Sequence, residues 1–229
     1  MSTGDSLDSK LEFARALLAD NALAAGSTHR VAVAWTGGKD STLALWLWRQ
    51  VLAQAEANAR PLALTVDTGV KFPEIIAFRT ELAKDWGLEH RVVYSADPDS
   101  PPDSSNPLAC CGRLKVAPLK ATLRELKVTI LISGIRRDEH PSRADRQFVE
   151  KRSDPDYVQL NPLLDLNEMD VWAAHLGRAI PYCPLYNQGY RSLGCVPCTA
   201  SPSEHLGERT GRSTAKDARL EQLTALGYF

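Results

Sequence analysis

The sequence predicts an α/β fold of the Rossmann-like type, an open and mostly parallel sheet with helices on both faces. Two observations predict it. Short segments rich in apolar residues alternate along the chain with longer segments of helical period. Most of the short segments are continuous apolar runs, as expected of strands that are buried on both faces. Ligands bind such sheets at the carboxyl ends of the strands, so the loops that follow the strands are expected to form the site.

The predicted elements follow one another closely. In chain order they are helix 7–25, strand 30–35, helix 42–57, strand 62–66, helix 73–86, strand 91–94, helix 111–126, strand 129–133, strand 158–160, helix 167–178 and helix 213–226. Residues 96–107 are rich in Pro, Asp and Ser and predict a loop. Residues 135–155 are highly charged and are expected to be irregular.

The composition is that of an ordinary globular protein. The chain has 229 residues, of which 44% are hydrophobic and 24% charged, and its formal net charge is -1. These values exclude a disordered chain, a collagen and a coiled coil. They also argue against a bulk electrostatic attraction to nucleic acid or to an anionic membrane, while a local basic patch for nucleic acid stays open.

The sequence predicts no membrane segment and a cytoplasmic location. No apolar run reaches the ~18 residues that a membrane helix needs, and residues 1–20 mix both charge signs and lack a signal-peptide core. In a reducing compartment, the five cysteines are expected to be metal ligands or reactive thiols rather than disulfides.

The most informative motif lies between a predicted buried strand and a predicted helix, at residues 36–41 (TGGKDS). Two glycines let the backbone approach an anion closely, and a helix N-terminus offers free N–H groups and the positive end of its dipole. We therefore expect phosphate binding by Thr36, Gly37, Gly38, Lys39, Asp40 and Ser41, with Lys39 and Asp40 also taking part in catalysis. The spacing is not that of a Walker A loop, and the alternative is a glycine turn that only caps the helix.

This motif resembles the SGGKDS loop of ATP-dependent PP-loop pyrophosphatases, and a second segment narrows the resemblance. Residues 67–74 (DTGVKFPE) resemble the DTG-x-x-F-x-E segment of the phosphoadenosine phosphosulfate (PAPS) reductase family. That family includes the adenylyl-sulfate (APS) reductases and the small subunit of bacterial ATP sulfurylase. The similarity continues through GIRRD at 134–138, NPL at 161–163, IPY at 180–182 and GY at 189–190. It implies a PP-loop fold that binds ATP or an adenylyl nucleotide, with Asp67 and Gly134 at the nucleotide site.

Four of the five cysteines form two pairs, one adjacent (CC, 110–111) and one spaced by two residues (CVPC, 195–198). Four thiolates suit a tetrahedral zinc ion or an iron–sulfur cluster. Adjacent cysteines on a helix point about 100° apart, which suits a cluster with several iron sites better than one zinc ion. Residues 110–119 and 193–199 resemble segments of bacterial APS reductases, which carry a [4Fe-4S] cluster. The resemblance implies such a cluster on Cys110, Cys111, Cys195 and Cys198; zinc, and buried or disulfide-bonded cysteines, are the alternatives.

Basic residues follow the strand predicted at 129–133. Arginine binds sulfate or phosphate through two parallel hydrogen bonds. The resemblance makes Arg136, Arg137 and Arg143 the expected anion ligands, with Arg137 also catalytic. It also places Lys115 between cluster and substrate, where the lysine couples the two electrostatically. The alternatives are a solvated charged loop for the arginines and an exposed helix lysine for Lys115.

Three features point to different members of the family. Reductases usually carry a nucleophilic cysteine near the C-terminus, whereas no cysteine follows Cys198 here. Residues 207–212 (GERTGR) and 226–229 (LGYF) instead resemble the end of the ATP sulfurylase small subunit, which does not normally carry the two cysteine pairs. The complete GGKDS loop suits ATP and Mg²⁺. Cys183, where reductases have a polar residue, is either a replacement nucleophile or a small buried residue.

These features lead to three hypotheses. The first is an enzyme that cleaves ATP to AMP and pyrophosphate, adenylates an oxygen of an acceptor, and receives sulfur through the cluster or from an outside donor. The second is an adenylyl-sulfate reductase that releases sulfite, with Cys183 or a partner supplying the nucleophile. The third is a subunit like that of ATP sulfurylase, which depends on a larger GTPase partner.

The expected organisation is a nucleotide-binding α/β domain at 1–178 and a C-terminal segment at 179–229 packed on the same domain. The expected cofactors and ligands are a [4Fe-4S] cluster, ATP or adenylyl sulfate, and Mg²⁺. The expected partners are a sulfur acceptor or donor, a thioredoxin-like redox protein or a cysteine desulfurase, and a second copy of the chain. Nucleic acid is not indicated as a partner.

Overall fold

A single open sheet organises the molecule. The computed structural model describes residues 6–23, 29–95, 101–200, 208–209 and 211–227. Within these ranges, six strands pair in the order β3-β2-β1-β4-β6-β5. The strands are β1 Arg30–Ala34, β2 Leu62–Asp67, β3 Glu89–Tyr94, β4 Val128–Ile132, β5 Val149–Arg152 and β6 Tyr157–Leu160. All pairings are parallel except that of β5 with β6, so the predicted open, mostly parallel fold is confirmed.

The helices differ from the prediction mainly at their ends. They are α1 Leu7–Leu18, α2 Lys39–Ala55, α3 Pro73–Asp85, α4 Pro107–Cys111, α5 Ala117–Glu125, α6 Glu168–Gly177, α7 Thr214–Asp217 and α8 Leu220–Ala225. The helix predicted from residue 111 begins earlier, because Pro107 occupies its first turn and Asn106 caps it by accepting from the amide of Ala109. The helix predicted at 213–226 is two short helices. No helix of the described ranges is both long and apolar enough to cross a bilayer.

The two faces of the sheet are covered by separate sets of helices. On one face, Trp35 and Ile132 pack with Leu43 and Leu47 of α2, in a core that also includes α1, α3 and α6. On the other face, α5 covers the sheet with its buried side chains Leu119 and Leu123. Side chains alternate between the faces along each strand, so continuous apolar runs serve both cores.

The strand that the sequence analysis missed is β5, which lies in the charged segment expected to be irregular. Its sequence is VEKR, and its residues alternate between exposed and half-buried positions. It pairs only with β6, at the edge of the sheet. Charged side chains are typical of edge strands, because they discourage pairing with another chain.

The carboxyl ends of β1, β2 and β4 meet at one edge of the sheet. Their register is parallel, with Ala34 opposite Leu64 and Val33 opposite Ile132. The loops that leave these strands therefore lie side by side, as the fold prediction required. One of them is the glycine-rich segment 36–41.

Candidate functional site

The glycine-rich loop is a compact turn held by its own hydroxyl groups. The hydroxyls of Thr36 and Ser41 lie 3.1 Å apart, and the Ser41 hydroxyl donates to the carbonyl of Gly38 at 3.0 Å. Gly37 has φ +85°, a left-handed conformation that favours glycine. Helix α2 begins at Lys39, directly after the turn. The Lys39 amide donates to the Tyr186 hydroxyl, so this turn offers an anion the positive end of the α2 dipole beside the hydroxyls of Thr36 and Ser41.

The loop after β4 approaches the start of α2 so closely that only glycine fits. A Cβ on Gly134 would lie 2.7 Å from the backbone nitrogen of Ser41 and 2.8 Å from the carbonyl carbon of Asp40. Both neighbours are backbone atoms, so neither can rotate away. Gly134 therefore acts on the site by letting two backbones touch, and this contact brings the arginine at 136 over the glycine-rich loop.

Five ionisable side chains form a charge cluster around two buried cations beside the loop, called the buried charge cluster below: Lys39, Asp40, Arg136, Asp138 and Glu208, of which Asp138 is exposed. Arg136 is fully buried and donates from Nε to Asp40 Oδ1 at 2.5 Å and from Nη1 to Asp138 Oδ1 at 2.5 Å. Its Nη2 donates to both carboxylate oxygens of Glu208, at 2.7 and 2.6 Å. Lys39, only 1% exposed, donates to Glu208 Oε1 at 2.5 Å. Ion pairing is what allows two cations to be buried here.

The cluster determines which of its members are charged. Burial opposes ionisation of Asp40, but the cations Lys39 and Arg136 outweigh it and lower the pKa of Asp40 to about 2. Burial likewise opposes the charge of Lys39, while Asp40, Tyr186 and Glu208 raise its pKa above the ordinary value. The pKa of Asp138 is raised, chiefly by burial. Lysine and aspartate of the loop are therefore both ionised at neutral pH.

Aromatic and imidazole groups fix the position of Lys39. The Tyr186 hydroxyl accepts from the Lys39 amide at 2.9 Å, and Lys39 Nζ lies 5.6 Å from the tyrosine ring centroid. His175 Nε2 lies 2.9 Å from the Lys39 carbonyl. The start of α2 is thus held by three contacts from α6 and the segment that follows it.

Two adjoining cavities open at this edge of the sheet. The first, the phosphate-loop cavity, is lined by residues of the glycine-rich loop, by Gly134, and by Arg143, Tyr186 and Arg209. The second, the apolar cavity, is lined by Trp35, Leu64, Val66 and Leu119, and ends at Lys71 and Lys115. Both cavities share the wall formed by Ala34, Thr36, Leu193 and Arg212. An elongated ligand can therefore extend from the glycine-rich loop to the two lysines.

Arg212 is a buried cation at the junction of the two cavities. Its side chain packs directly against Gly194, where any Cβ would collide with the guanidinium group. The residue is 8% exposed, and its Nε and Nη1 have no hydrogen-bond partner in the described part of the chain. A buried guanidinium with open donors costs free energy that an anionic ligand would recover. This arrangement suits a sulfate or phosphate group.

The four paired cysteines interact electrostatically despite their separation in the chain. Burial raises the pKa of Cys110, and Cys111, Cys195 and Cys198 raise it further. The second pair is attached to the loop after β2, since the Val196 amide donates to the Val70 carbonyl at 2.8 Å and Lys71 forms a backbone bridge with Cys195. The loop after β2 therefore connects the cysteines to the apolar cavity.

Positive charge surrounds Cys195. Burial raises the pKa of its thiol, but Lys115 and Lys71 outweigh this and lower it to about 6, with help from Lys216 and from the Thr68 hydroxyl 3.2 Å away. A thiolate is the form of cysteine that binds metals. Lys115 thus lines the apolar cavity on one side and acts on Cys195 on the other, and it is not a solvated helix lysine.

The described residues contain no preformed site for a single metal ion. No group of three or more His, Cys, Asp or Glu side chains within the described ranges is arranged to hold one metal ion. All five cysteines are free thiols, which excludes disulfide bonds among them in this structure. Four cysteine sulfurs, with lysines beside Cys195 that can balance negative charge, are donors of the type that iron–sulfur clusters use.

Three residues that were predicted to act on the ligand make other contacts in the structure. Arg137 faces a separate groove, where it pairs with Asp165 and stacks on Phe148 at 5.1 Å, away from both cavities. Asp67 accepts from the Gly69 amide at 2.9 Å and pairs with Arg79, so it shapes the loop after β2. Cys183 is fully buried in the core below α2, α3 and α6, and burial raises its pKa.

Seven of the remaining predicted residues line the phosphate-loop cavity and Lys115 lines the apolar cavity, whereas Gly37, Arg136 and the four paired cysteines line neither. Sequence reasoning also did not assign three residues that lie near this site. Thr36, Gly38, Lys39, Asp40, Ser41, Gly134 and Arg143 line the phosphate-loop cavity. The unassigned residues are Tyr186, Glu208 and Arg212. Glu208 and Arg212 belong to the segment 207–212, which the sequence analysis noted only as a resemblance; its two arginines spaced by two residues were the available signal for a second anion site.

Comparison with known proteins agrees with this geometry. The phosphoadenosine phosphosulfate reductase domain family matches residues 30–201. The adenosine 5'-phosphosulfate reductase of Deinococcus radiodurans is 35% identical over 169 residues, which are 71% of this chain and 66% of that protein. The phosphoadenosine 5'-phosphosulfate reductase of Gloeobacter violaceus is 34% identical over 69% of each chain. This chain thus spans about two thirds of the length of these relatives.

Solved structures share the fold at lower identity. The FMN adenylyltransferase of Candida glabrata, in complex with FAD and inorganic pyrophosphate, aligns with a TM-score of 0.71 at 21% identity, over 90% of this chain and 69% of that one. The U34-tRNA thiolase NcsA of Methanococcus maripaludis, with its [4Fe-4S] cluster, aligns with a TM-score of 0.58 at 16% identity, over 97% and 80%. From the glycine-rich loop, the sheet order and the match over residues 30–201, we conclude that the chain belongs to the phosphoadenosine phosphosulfate reductase family.

Proposed function

We propose that the chain is an adenylyl-sulfate reductase, an enzyme that converts adenylyl sulfate and two thiols into AMP, sulfite and a disulfide. The observation that carries the proposal is the pair of adjoining cavities, which share Arg212 as a buried cation with open donors. Adenylyl sulfate is an elongated dianion with an apolar base at one end and a sulfonate at the other, and these two cavities match that pattern. The names of the relatives support the same activity.

In this proposal the chain binds and orients the nucleotide. The hydroxyls of Thr36 and Ser41, at the positive end of the α2 dipole, hold the phosphate, and the apolar cavity holds the adenine. Arg212, which lines both cavities, holds the sulfonate and stabilises the charge that develops on AMP as it leaves. Arg143 completes the cation set on the phosphate side.

The electrons come from a dithiol reductant of the thioredoxin class. A thiolate of the reductant attacks the sulfur of the sulfonate, so that an S–S bond forms while the bond from sulfur to the phosphate oxygen breaks and AMP leaves. The second thiolate of the reductant then attacks the first, which releases sulfite and leaves a disulfide. Because Cys183 is fully buried and burial raises its pKa, we assign it no part in this attack.

We further propose that Cys110, Cys111, Cys195 and Cys198 hold a [4Fe-4S] cluster. The support is their mutual electrostatic interaction and the lysines around Cys195. When bound, such a cluster would supply a redox-active, polarisable metal centre near the lysine end of the apolar cavity. Lys115 then lies between cluster and substrate, where it balances the charge of both.

A second candidate is the adenylation of an acceptor with ATP, followed by sulfur transfer. The observation that favours it is the complete GGKDS loop, in which Lys39 and Asp40 are both ionised. One experiment separates the two. Protein purified without oxygen is assayed for iron and acid-labile sulfide, for sulfite release from adenylyl sulfate with thioredoxin, and for pyrophosphate release from ATP. We expect about four irons per chain, sulfite and no pyrophosphate; pyrophosphate without sulfite would reverse the assignment.

A further inference from the structure

The carboxylate of Glu208 occupies an anion site in the buried charge cluster. It accepts from Lys39 Nζ at 2.5 Å and from Arg136 Nη2 at 2.7 and 2.6 Å. Both cations are almost completely excluded from solvent, at 1% and 0% exposure, and the glutamate side chain is itself only 11% exposed. A carboxylate held in this way by two buried cations stands where a phosphate oxygen of a ligand could otherwise be held.

The charges of the cluster leave no excess for a further anion. Arg136 has a carboxylate in each of its donor directions, Asp40 on Nε, Asp138 on Nη1 and Glu208 on Nη2. Lys39 is shared between Glu208, Asp40 and the carbonyl of Arg191. With three carboxylates to two cations, a polyphosphate that entered here would have to displace Glu208 or meet its charge in a low-dielectric environment.

The neighbouring cation, Arg212, differs from Lys39 and Arg136 in its hydrogen bonding. Arg212 lines the same phosphate-loop cavity, and its Nε and Nη1 are buried without a hydrogen-bond partner among the described residues. A ligand with one phosphate and one sulfonate needs the hydroxyls and amides of the glycine-rich loop and this arginine. A triphosphate carries one more anionic group and would also need Lys39 and Arg136. The two ligands therefore differ in their need for the site that Glu208 fills.

We propose that Glu208 is a specificity-determining residue, whose carboxylate excludes polyphosphates from the glycine-rich loop so that the site takes adenylyl sulfate rather than ATP. This inference rests on the proposed function, because it concerns which adenylyl nucleotide the same site selects. It explains how a loop with a complete GGKDS sequence serves a substrate that has no β- or γ-phosphate. The lysine of the loop then acts as a partner of the glutamate rather than of the substrate.

The test compares ligand affinities of the wild-type chain with those of Glu208→Gln, which keeps the shape and removes the charge. Inorganic pyrophosphate with excess Mg²⁺, ATP and adenylyl sulfate are titrated by calorimetry against anaerobically purified protein. We expect Glu208→Gln to bind pyrophosphate and ATP at least tenfold more tightly than wild type, and adenylyl sulfate within about threefold of wild type (a tenfold change is 1.4 kcal/mol). Glu221→Gln, which removes an exposed carboxylate from the open groove near Glu208, is expected to leave all three affinities unchanged.

Two results would overturn the inference. One is wild-type protein that binds pyrophosphate as tightly as it binds adenylyl sulfate, a measurement that needs no variant to fold. The other is Glu208→Gln, or Glu208→Ala if the glutamine variant is unfolded by circular dichroism, with an unchanged affinity for pyrophosphate. If instead the proposed function is wrong, the wild-type chain will neither release sulfite nor bind adenylyl sulfate, which distinguishes the two failures.

Discussion

Replacing Gly134 by alanine should uncouple the loop after β4 from the glycine-rich loop. The added Cβ would lie 2.7 Å from the Ser41 nitrogen and 2.8 Å from the Asp40 carbonyl carbon and the Ser41 Cα, all of them backbone atoms. Relief requires the start of α2 and the loop to separate by several tenths of an ångström. Overpacking of this kind costs about 1–3 kcal/mol of unfolding free energy. For a chain of this size that corresponds to a fall in Tm of roughly 2–10 °C.

The same separation should weaken nucleotide binding more than stability. The amides and hydroxyls of the loop must all reach one phosphate, so a small displacement breaks several hydrogen bonds at once. We expect the Kd for adenylyl sulfate to rise at least tenfold. The matched control is Gly177→Ala at the end of α6, where a new Cβ meets nothing within 4 Å and should stabilise the helix by about 0.5–1 kcal/mol.

Urea denaturation measures the free energy of unfolding of both variants, and calorimetric titration measures their affinity. A Gly134→Ala protein with unchanged unfolding free energy and unchanged affinity would refute the reasoning, because it would show that the two backbones are not held together by the site. A loss of stability alone, with normal affinity, would show that the glycine serves packing and not the loop.

Three further predictions follow from the buried groups. Arg212→Ala should raise the Kd for adenylyl sulfate about 10- to 100-fold, the loss of a charge-assisted contact. Its effect on Tm should be limited to the lost packing against Gly194, because Nε and Nη1 have no partner to lose in the described residues; a lower Tm with unchanged Kd contradicts this. Cys183→Ser should keep full sulfite release while losing about 1–3 kcal/mol of stability on urea denaturation, since it buries a hydroxyl in an apolar core; loss of activity in the folded variant would restore the nucleophile hypothesis. The folded-state pKa of Asp40 is lowered to about 2 from an ordinary 3.8, so its ionised form contributes stability that is complete above pH 4 and is lost as the pH falls towards 2. Asp40→Asn should therefore unfold with a free energy about 2 kcal/mol below that of wild type at pH 6, and with a smaller deficit at pH 3. An equal deficit at both pH values would contradict the assignment.

Local patterns were sufficient where a feature depends on neighbours in the sequence. The glycine-rich loop was recognisable because its glycines, lysine and hydroxyls are consecutive between an apolar run and an amphipathic helix. The central strands were recognisable because burial on both faces demands continuous apolar residues. Edge strand β5 was not, because a strand with one exposed side and charged residues has the composition of a loop.

Sequence reasoning did not predict which charged side chains lie together in the folded structure. Three neighbouring arginines, Arg136, Arg137 and Arg143, were expected to share one role. Successive side chains leave an extended backbone in opposite directions, so Arg136 enters the buried charge cluster while Arg137 faces another groove beside Phe148. The path of the loop backbone decides which of two adjacent arginines contacts a ligand. The hydrophobic periodicity of the sequence does not predict that path in an irregular segment.

By itself, the amino-acid sequence determined the fold class, the position of the glycine-rich loop and the identity of the four paired cysteines, since each depends on residue types at short spacing. Only the tertiary structure decided how charges pair: that Glu208 fills the place between Lys39 and Arg136, that Arg212 stays open beside them, and that Cys183 is buried. The physical reason is that electrostatic energies depend on distance and burial, which residues 169 positions apart in the chain acquire only when the sheet has formed.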